Sequence, residues 1–309
     1  MNRFSHSKIS TFRQCNKKYY YQYVEGIQVK DSKELVLGQI FHRILEAHYA
    51  NKDVQPILNE YQGLVMTGEL ETHRDLMESV YQEYLKHYRK EMASETLVHN
   101  EQRFEIAFDE NEEDLMVGIV DKIIQVGSTT ILRDHKTTSN SLKYEPHHVR
   151  YSSQLLLYKE MAEILTSMEI DALEVDEIRL AMVETEVPLN RDGRPTVDRR
   201  KLSLVTYETY HNKLVELGLD GDPDYANILG ELERRGHPLF RRTMVAMIDG
   251  ALTRTNLQDI EATMRQIKRE KTFARNPGRL CDWCPFKEIC QFDYYDPDPM
   301  DREIIKRKL

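Results

Sequence analysis

The stretch that decides the fold is Gly118-Ile-Val-Asp-Lys-Ile-Ile124, which continues beyond Gly127-Ser128 into Ile131-Leu-Arg-Asp-His-Lys-Thr-Thr138. Apolar, β-branched runs on either side of a Gly-Ser pair are typical of a β-hairpin. Such a hairpin brings two carboxylates, Asp121 and Asp134, to one point although they lie 13 residues apart in the chain. The sequence therefore predicts a pair of strands that carries an acidic site.

The predicted acidic site also contains a lysine. Lys136 follows Asp134 by two residues, so on a strand both side chains point to the same face. Carboxylate oxygens suit Mg²⁺ or Mn²⁺, and a lysine can orient a metal-bound water. An Asp-x-Lys sequence also fits an ordinary surface ion pair. Asp121 favours the metal site, because its apolar neighbours would make an unpaired carboxylate costly to bury.

The four cysteines divide between the two ends of the chain: Cys15, and then Cys281, Cys284 and Cys290 in the spacing C-x2-C-x5-C. Thiolates are natural ligands of zinc and of iron–sulfur clusters. A metal centre would join the two ends across 265 intervening residues. The alternatives are thiols of a surface tail with one unrelated cysteine, or disulfides. Because neither a signal peptide nor an apolar span is apparent, we expect a reducing cytoplasm and no membrane partner.

The composition indicates a soluble globular protein. The 309 residues are 40% hydrophobic and 31% charged, which fits one large domain with insertions. A net charge of −9 argues against strong nonspecific binding of nucleic acid by the protein as a whole. It leaves room for a local basic groove, for which the candidates are Arg199-Arg200-Lys201, Arg234-Arg235, Arg241-Arg242 and the run from Arg265 to Arg279.

The order of the predicted elements indicates an α/β (α+β) core. Periodicity predicts helices over 12–24 (with Ser10 as the N-cap), 38–50, 53–94, 148–165, 198–217 and 256–271. It predicts strands over 101–108, 115–125, 129–134 and 176–187. A meander of strands thus lies between helical segments.

Five elements of the sequence, in order, resemble the RecB-like branch of the PD-(D/E)XK nucleases. They are Ser7, Ser10, Phe12 and Cys15; Gly38 and His42; Gly118 and Asp121; Asp134 and Lys136; and Gln154 and Tyr158. The four-cysteine pattern resembles the iron–sulfur subgroup, which includes the CRISPR-associated RecB-like nucleases, the AddB nuclease domain and exonuclease V. One departure is that the first element has a looser spacing. Another is that Asp134 stands where many PD-(D/E)XK enzymes have Glu.

The resemblance implies a restriction-endonuclease-like core with a mixed central sheet flanked by helices. It implies a single nuclease domain over 1–309, with helical insertions at about 51–100 and 190–260. The C-terminal segment 276–295 would bind a cluster together with Cys15. An iron–sulfur staple would then join the two termini.

The resemblance also implies roles for individual residues. His42, Asp121 and Asp134 would bind the divalent metal, with the main-chain carbonyl of His135 as a further ligand. Lys136 would position the attacking water. Gln154 and Tyr158 complete the implied catalytic set, because residues four apart share one helix face. Two alternatives stay open: His42 as a packed helix histidine, and the Gln154–Tyr158 face as part of an amphipathic core helix.

The implied cofactors are Mg²⁺ or Mn²⁺ and a structural 4Fe–4S cluster, with structural zinc as the alternative. The implied activity is a metal-dependent DNA nuclease, specifically an end-dependent exonuclease on single-stranded DNA. Its setting would be recombination, repair or phage or CRISPR-type DNA processing, with a helicase or recombination protein as a partner. Two rival functions are a non-catalytic DNA-binding or assembly subunit and a zinc-stapled protein with no nucleic-acid role.

Overall fold

The computed structural model describes residues 2–64, 70–108, 114–294, 302, 303 and 306, without the side chains of 60–64 and 70–72. In this part of the chain, six strands form one mixed sheet, and helices pack on both of its faces. The predicted α/β class with a mixed central sheet flanked by helices is confirmed. No helix in the described ranges combines the length and apolarity that a bilayer crossing requires.

The sheet is built around the predicted hairpin. Its strands are β1 Asn2–Phe4, β2 Thr96–Ala107, β3 Asp114–Val126, β4 Thr129–Thr138, β5 Ala172–Arg179 and β6 Phe240–Ala246. The order is β1-β3-β4-β5-β6, and β2 also pairs with β3. The β1–β3 and β4–β5 pairs are parallel and the other pairs are antiparallel. The β3–β4 turn contains Gly127 with φ 61°, a left-handed conformation that glycine adopts without strain.

The helices connect and cover these strands. They are α1 His6–Gln14, α2 Asn16–Tyr19, α3 Lys33–Tyr49, α4 Gln55–Leu64, α5 Leu70–Met92, α6 Pro146–Arg150, α7 Ser153–Thr166, α8 Tyr207–Glu216, α9 Ala226–Arg235, α10 Gly250–Arg269 and α11 Lys287–Phe292. The first face of the sheet packs against α1, α7 and α10, and the second against α3, α4 and α5. The fold thus has three layers.

The predicted start of the first helix is wrong. The helix begins at His6, because Ser5 is the N-cap and its side chain accepts a hydrogen bond from the N–H of Lys8 at 3.2 Å. Ser10 lies inside α1. The predicted helix is also divided, since Cys15 adopts an extended conformation between α1 and α2. The cysteine therefore lies at a bend of the chain. Helical structure resumes at Asn16 and continues as a π-helix over Tyr20–Val24, so the predicted end at Val24 is confirmed.

The predicted strand over 176–187 is displaced. Strand β5 begins at Ala172 and ends at Arg179, so only its second half was predicted. Two buried acids, Glu174 and Asp176, interrupt the apolar pattern of β5, so the sequence pattern did not predict the first half of the strand. Both acids are paired with arginines of neighbouring strands, Arg133 and Arg242. Tertiary ion pairs, which local sequence does not reveal, make this strand stable.

The two predicted helical insertions contain strands at their ends. The first, 51–100, comprises α4 and α5 but also the start of β2 at Thr96, and its residues 65–69 lie outside the described ranges. The second, 190–260, comprises α8 and α9 but also β6 and the start of α10. Strand β6 pairs with β5 along Ala172 to Ile178 and so belongs to the central sheet. The helical part of the second interval has its own small core around Tyr210.

The second face of the sheet carries a buried ionic network. Three cations meet three carboxylates there, and all six side chains are 9% exposed or less. They are Lys122, Arg133, Arg242, Glu95, Glu174 and Asp176. Each charge has a partner of opposite sign within 3.3 Å, which such burial requires. The network joins β3, β4, β5 and β6.

Close packing explains the glycine of the hairpin. A Cβ atom on Gly118 would lie 2.5 Å from the ring of Phe104 on the neighbouring strand β2, which is closer than real Cβ contacts. Phe104 is buried and stacks edge-on against Tyr158 of α7, with 5.4 Å between ring centroids. The ring therefore has little room to move aside. Any larger residue at 118 would push β3 away from β2.

We predict that Gly118→Ala lowers the free energy of unfolding by about 1–3 kcal/mol, because the added methyl overpacks the β2–β3 contact. Chemical denaturation measures this loss. In a Phe104→Leu background, where the ring is absent, the same substitution should cost much less. An equal loss in both backgrounds would contradict the steric explanation.

Candidate active site

The two aspartates of the hairpin face each other across β3 and β4. The register pairs Lys122 with Arg133, and its continuation places Asp121 opposite Asp134. The main-chain N–H of His135 donates a hydrogen bond to Asp121 Oδ2 at 2.8 Å. Burial raises the pKa of Asp121 well above its ordinary value, and the charge of Asp134 raises it further. The two carboxylates thus repel each other at this place.

Lys136 places a cation beside these aspartates. Its Nζ lies 2.9 Å from Asp134 Oδ1 and 2.7 Å from Oδ2. It also donates a hydrogen bond to Gln154 Oε1 at 3.1 Å. Burial alone would lower the pKa of Lys136, but Asp134 and Asp121 raise it above the ordinary value. The lysine is therefore held charged beside both aspartates.

The helix after the hairpin brings two predicted residues to the cavity. The amide Nε2 of Gln154, in the first turn of α7, lies 3.4 Å from Asp134 Oδ1. Gln154 thus bridges Asp134 and Lys136. Tyr158 also lines the cavity, but it is 9% exposed and its ring packs against Phe104. The α7 face therefore serves both the site and the core.

His42 reaches the site from α3 on the other side. Its Nδ1 lies 3.7 Å from Asp121 Oδ2. Burial lowers the pKa of His42, which favours the neutral, metal-binding form of the ring. The helix approaches closely because Gly38 has no Cβ; one there would lie 2.6 Å from Thr137 Oγ1. Of the predicted Gly-x-x-x-His element, Gly38 thus packs on β4 and His42 reaches Asp121 of β3.

The side chain and the main chain of His135 make contacts on opposite faces of the sheet. Its ring lies on the second face, where Nδ1 is 3.4 Å from Asp176 Oδ2 in the buried ionic network. Burial lowers the pKa of His135 to about 4. Its main chain lies at the site, where the N–H binds Asp121. The side chain anchors the backbone, so a metal-binding role for His135 is restricted to the main-chain carbonyl.

Sequence reasoning missed Glu101 of strand β2. One ligand atom from each of His42, Glu101 and Asp121 lies within 4.8 Å of the others. Nothing in the local sequence around Glu101 indicates a site. The signal lies in the strand register, which pairs Asn100 with Lys122 and Gln102 with Val120, and so places Glu101 opposite Asp121.

His42, Asp121, Asp134, Lys136 and Gln154 line an open cavity of about 590 Å³. The donor set fits a hard divalent cation. A Mg²⁺ ion with oxygens at about 2.1 Å places opposite ligands about 4.2 Å apart, and the ligand atoms of His42, Glu101 and Asp121 all lie within 4.8 Å of one another. Arg103 also lines the cavity, with a side chain that is 66% exposed. The site therefore combines carboxylates, a histidine, a charged lysine and a basic rim.

The four predicted cysteines line a second cavity of about 380 Å³, which also contains Lys18, Arg275 and Lys287. Two hydrogen bonds hold the chain ends together beside it. The N–H of Lys17 donates to the carbonyl of Ala274 at 3.0 Å, and the Asn276 amide donates to that of Gln14 at 2.9 Å. The predicted segment 276–295 lies within the described ranges except for its last residue. The structure thus brings all four cysteines to one cavity.

Comparison with known proteins identifies the class. The sequence matches the family model of the PD-(D/E)XK nuclease superfamily over residues 3–291, and the chain belongs to this superfamily. Its mixed sheet flanked by helices is consistent with the restriction-endonuclease-like fold of that superfamily. A solved structure from Eubacterium rectale, named "Putative exonuclease", matches at 9% identity with a TM-score of 0.46, over 90% of this chain and 91% of that chain. No curated protein matches the sequence.

We predict that Asp121→Asn raises the melting temperature of the metal-free protein, because a neutral amide replaces a buried carboxylate that repels its neighbours. The amide oxygen can still accept the N–H of His135. Mn²⁺ should stabilise the wild type, by about 2.7 kcal/mol at 100 times its Kd, and should stabilise the variant far less.

Thermal unfolding in EDTA and in MnCl₂ measures both effects. Asp224→Asn, at a side chain that is 76% exposed, is the matched control and should behave as the wild type. The same Mn²⁺-dependent rise in Asp121→Asn and in the wild type would contradict the assignment.

Proposed function

We propose that the protein is a DNA nuclease that depends on a divalent cation. One observation carries this proposal: Lys136 contacts both oxygens of Asp134, in the cavity where Asp121, His42 and Gln154 also converge. Membership of the PD-(D/E)XK superfamily supports the same activity. His42, Asp121, Asp134 and the main-chain carbonyl of His135 are the proposed metal ligands.

The proposed chemistry divides between the cation and the protein. A bound Mg²⁺ or Mn²⁺ would lower the pKa of a coordinated water and polarise the phosphate. Lys136 orients the attacking water and stabilises the negative charge that develops on the phosphate. Gln154 holds Lys136 by accepting its hydrogen bond. Tyr158 limits the cavity on the α7 side.

We further propose an end-dependent exonuclease that acts on single-stranded DNA. The open cavity admits an extended backbone, and the exposed Arg103 at its rim offers a contact for a phosphate. A net charge of −9 makes such a local cation important for holding a polyanion.

We predict that Asp134→Asn lowers the rate of cleavage by at least about 100-fold, because Lys136 loses its charged partner and the cation loses a ligand. The assay uses single-stranded DNA labelled at the 5′ end with Mg²⁺ or Mn²⁺, beside an EDTA control and Asp224→Asn. Retained cleavage in Asp134→Asn would refute the site. Stepwise shortening from one end would support an exonuclease, whereas discrete internal fragments would indicate an endonuclease.

The same experiment separates the main rival function. DNA binding that weakens with salt, without any metal-dependent product, would identify a non-catalytic subunit. Such a subunit would act with a partner protein, for example a helicase or a recombination protein. The acidic net charge is the observation that favours this rival.

We also propose that Cys15, Cys281, Cys284 and Cys290 bind a 4Fe–4S cluster. A thiolate-bound cluster is anionic, and three cations, Lys18, Arg275 and Lys287, line the same cavity. Structural zinc, bound by the same four thiolates, is the alternative.

We predict that protein purified without oxygen is brown and contains about four iron atoms per chain. Cys281→Ser should lose most of this iron, and since Cys281 is exposed, the substitution does not open the core. Its melting temperature should fall because the two chain ends lose a cross-link. Iron analysis and visible absorption measure the effect, and a colourless protein with one zinc per chain would contradict the proposal.

A further inference from the structure

Glu101 adopts an unusual backbone conformation for its position. It lies in the middle of β2, Thr96–Ala107, yet its φ is +51°, in the left-handed region. The left-handed backbone conformation is energetically unfavourable for glutamate, whereas glycine and asparagine adopt it more readily. Such strain persists only where the surrounding structure or a function requires it. The strained residue is the one whose register position faces Asp121.

The position of Glu101 is also electrostatically unfavourable. Like charges directly opposite each other on paired strands destabilise a sheet. The carboxylates of Glu46 and Asp134 also repel the charge of Glu101. Within the described ranges, the Glu101 carboxylate forms no hydrogen bond or ion pair with any cationic side chain. The fold alone therefore gives no reason for a carboxylate at this place.

We propose that Glu101 is a ligand of the divalent cation, a role that rests on the proposed function and extends its donor set. The geometry is direct: the ligand atoms of His42, Glu101 and Asp121 lie within 4.8 Å of one another. The three residues come from different elements, α3, β2 and β3, that surround the cavity. A cation bound among them would attract the carboxylates of both Glu101 and Asp121 and so offset the repulsion between them.

The test measures Mn²⁺ binding to the DNA-free protein by calorimetry, with no requirement for cleavage. Glu101→Gln keeps the shape and removes the charge, so its Mn²⁺ affinity should fall at least about tenfold. Glu105→Gln is the matched control, because Glu105 lies four residues further along β2 and pairs with Arg3 and Arg103. It should bind Mn²⁺ as the wild type does.

A second variant protects the test against a folding defect. Glu101→Gly should melt at a higher temperature than Glu101→Gln in EDTA, because glycine adopts the left-handed conformation without strain. It should lose Mn²⁺ affinity to the same extent. A glycine variant that is well folded and binds Mn²⁺ as the wild type does would overturn the inference.

Asp121→Asn distinguishes the failure of this inference from the failure of the proposed function. If Asp121→Asn loses Mn²⁺ affinity and Glu101→Gln keeps it, Glu101 is not a ligand and the proposed site stands. If both variants keep the wild-type affinity, the inference and the proposed metal site are both refuted. Loss in both variants, with Glu105→Gln unchanged, supports the inference.

Discussion

The register between β3 and β4 is the constraint on which the site depends. It places Asp121 opposite Asp134 and brings the His135 N–H to the Asp121 carboxylate. Side chains alternate along a strand, so a slip of one residue would turn Asp134 and Lys136 to the wrong face. The short turn at Gly127 fixes the register. The strand register thus determines the geometry of the candidate active site.

The buried ionic network supports the same strand from the other side. Along β4, Asp134 and Lys136 face the cavity, whereas Arg133 and His135 face the network. Asp176 contacts the His135 ring and is itself held by Tyr84 and Arg242. Because the His135 main chain binds Asp121, a displacement of the network would move the site. The ionic network on the second face of the sheet therefore helps to hold the cavity residues of the first face in place.

The sequence was sufficient for the hairpin and for the residues carried on it, because their pattern is local and alternates with the strand period. It was not sufficient for β5, where Glu174 and Asp176 are stable only through arginines of other strands. The helix start at His6 was missed since Ser5 and Ser10 are both acceptable caps, and only the structure shows which one accepts a hydrogen bond. Glu101 was missed because its role depends on strand register.

The charge balance of the two faces argues for the cation. The network on the second face matches three cations with three carboxylates and needs no further ion. On the first face, burial and the charges of Asp134 and Glu101 raise the pKa of Asp121, although Lys136 binds Asp134. A divalent cation would offset this repulsion between carboxylates. Neutral substitutions here should therefore stabilise the metal-free fold while they remove function, a trade-off that is typical of active sites.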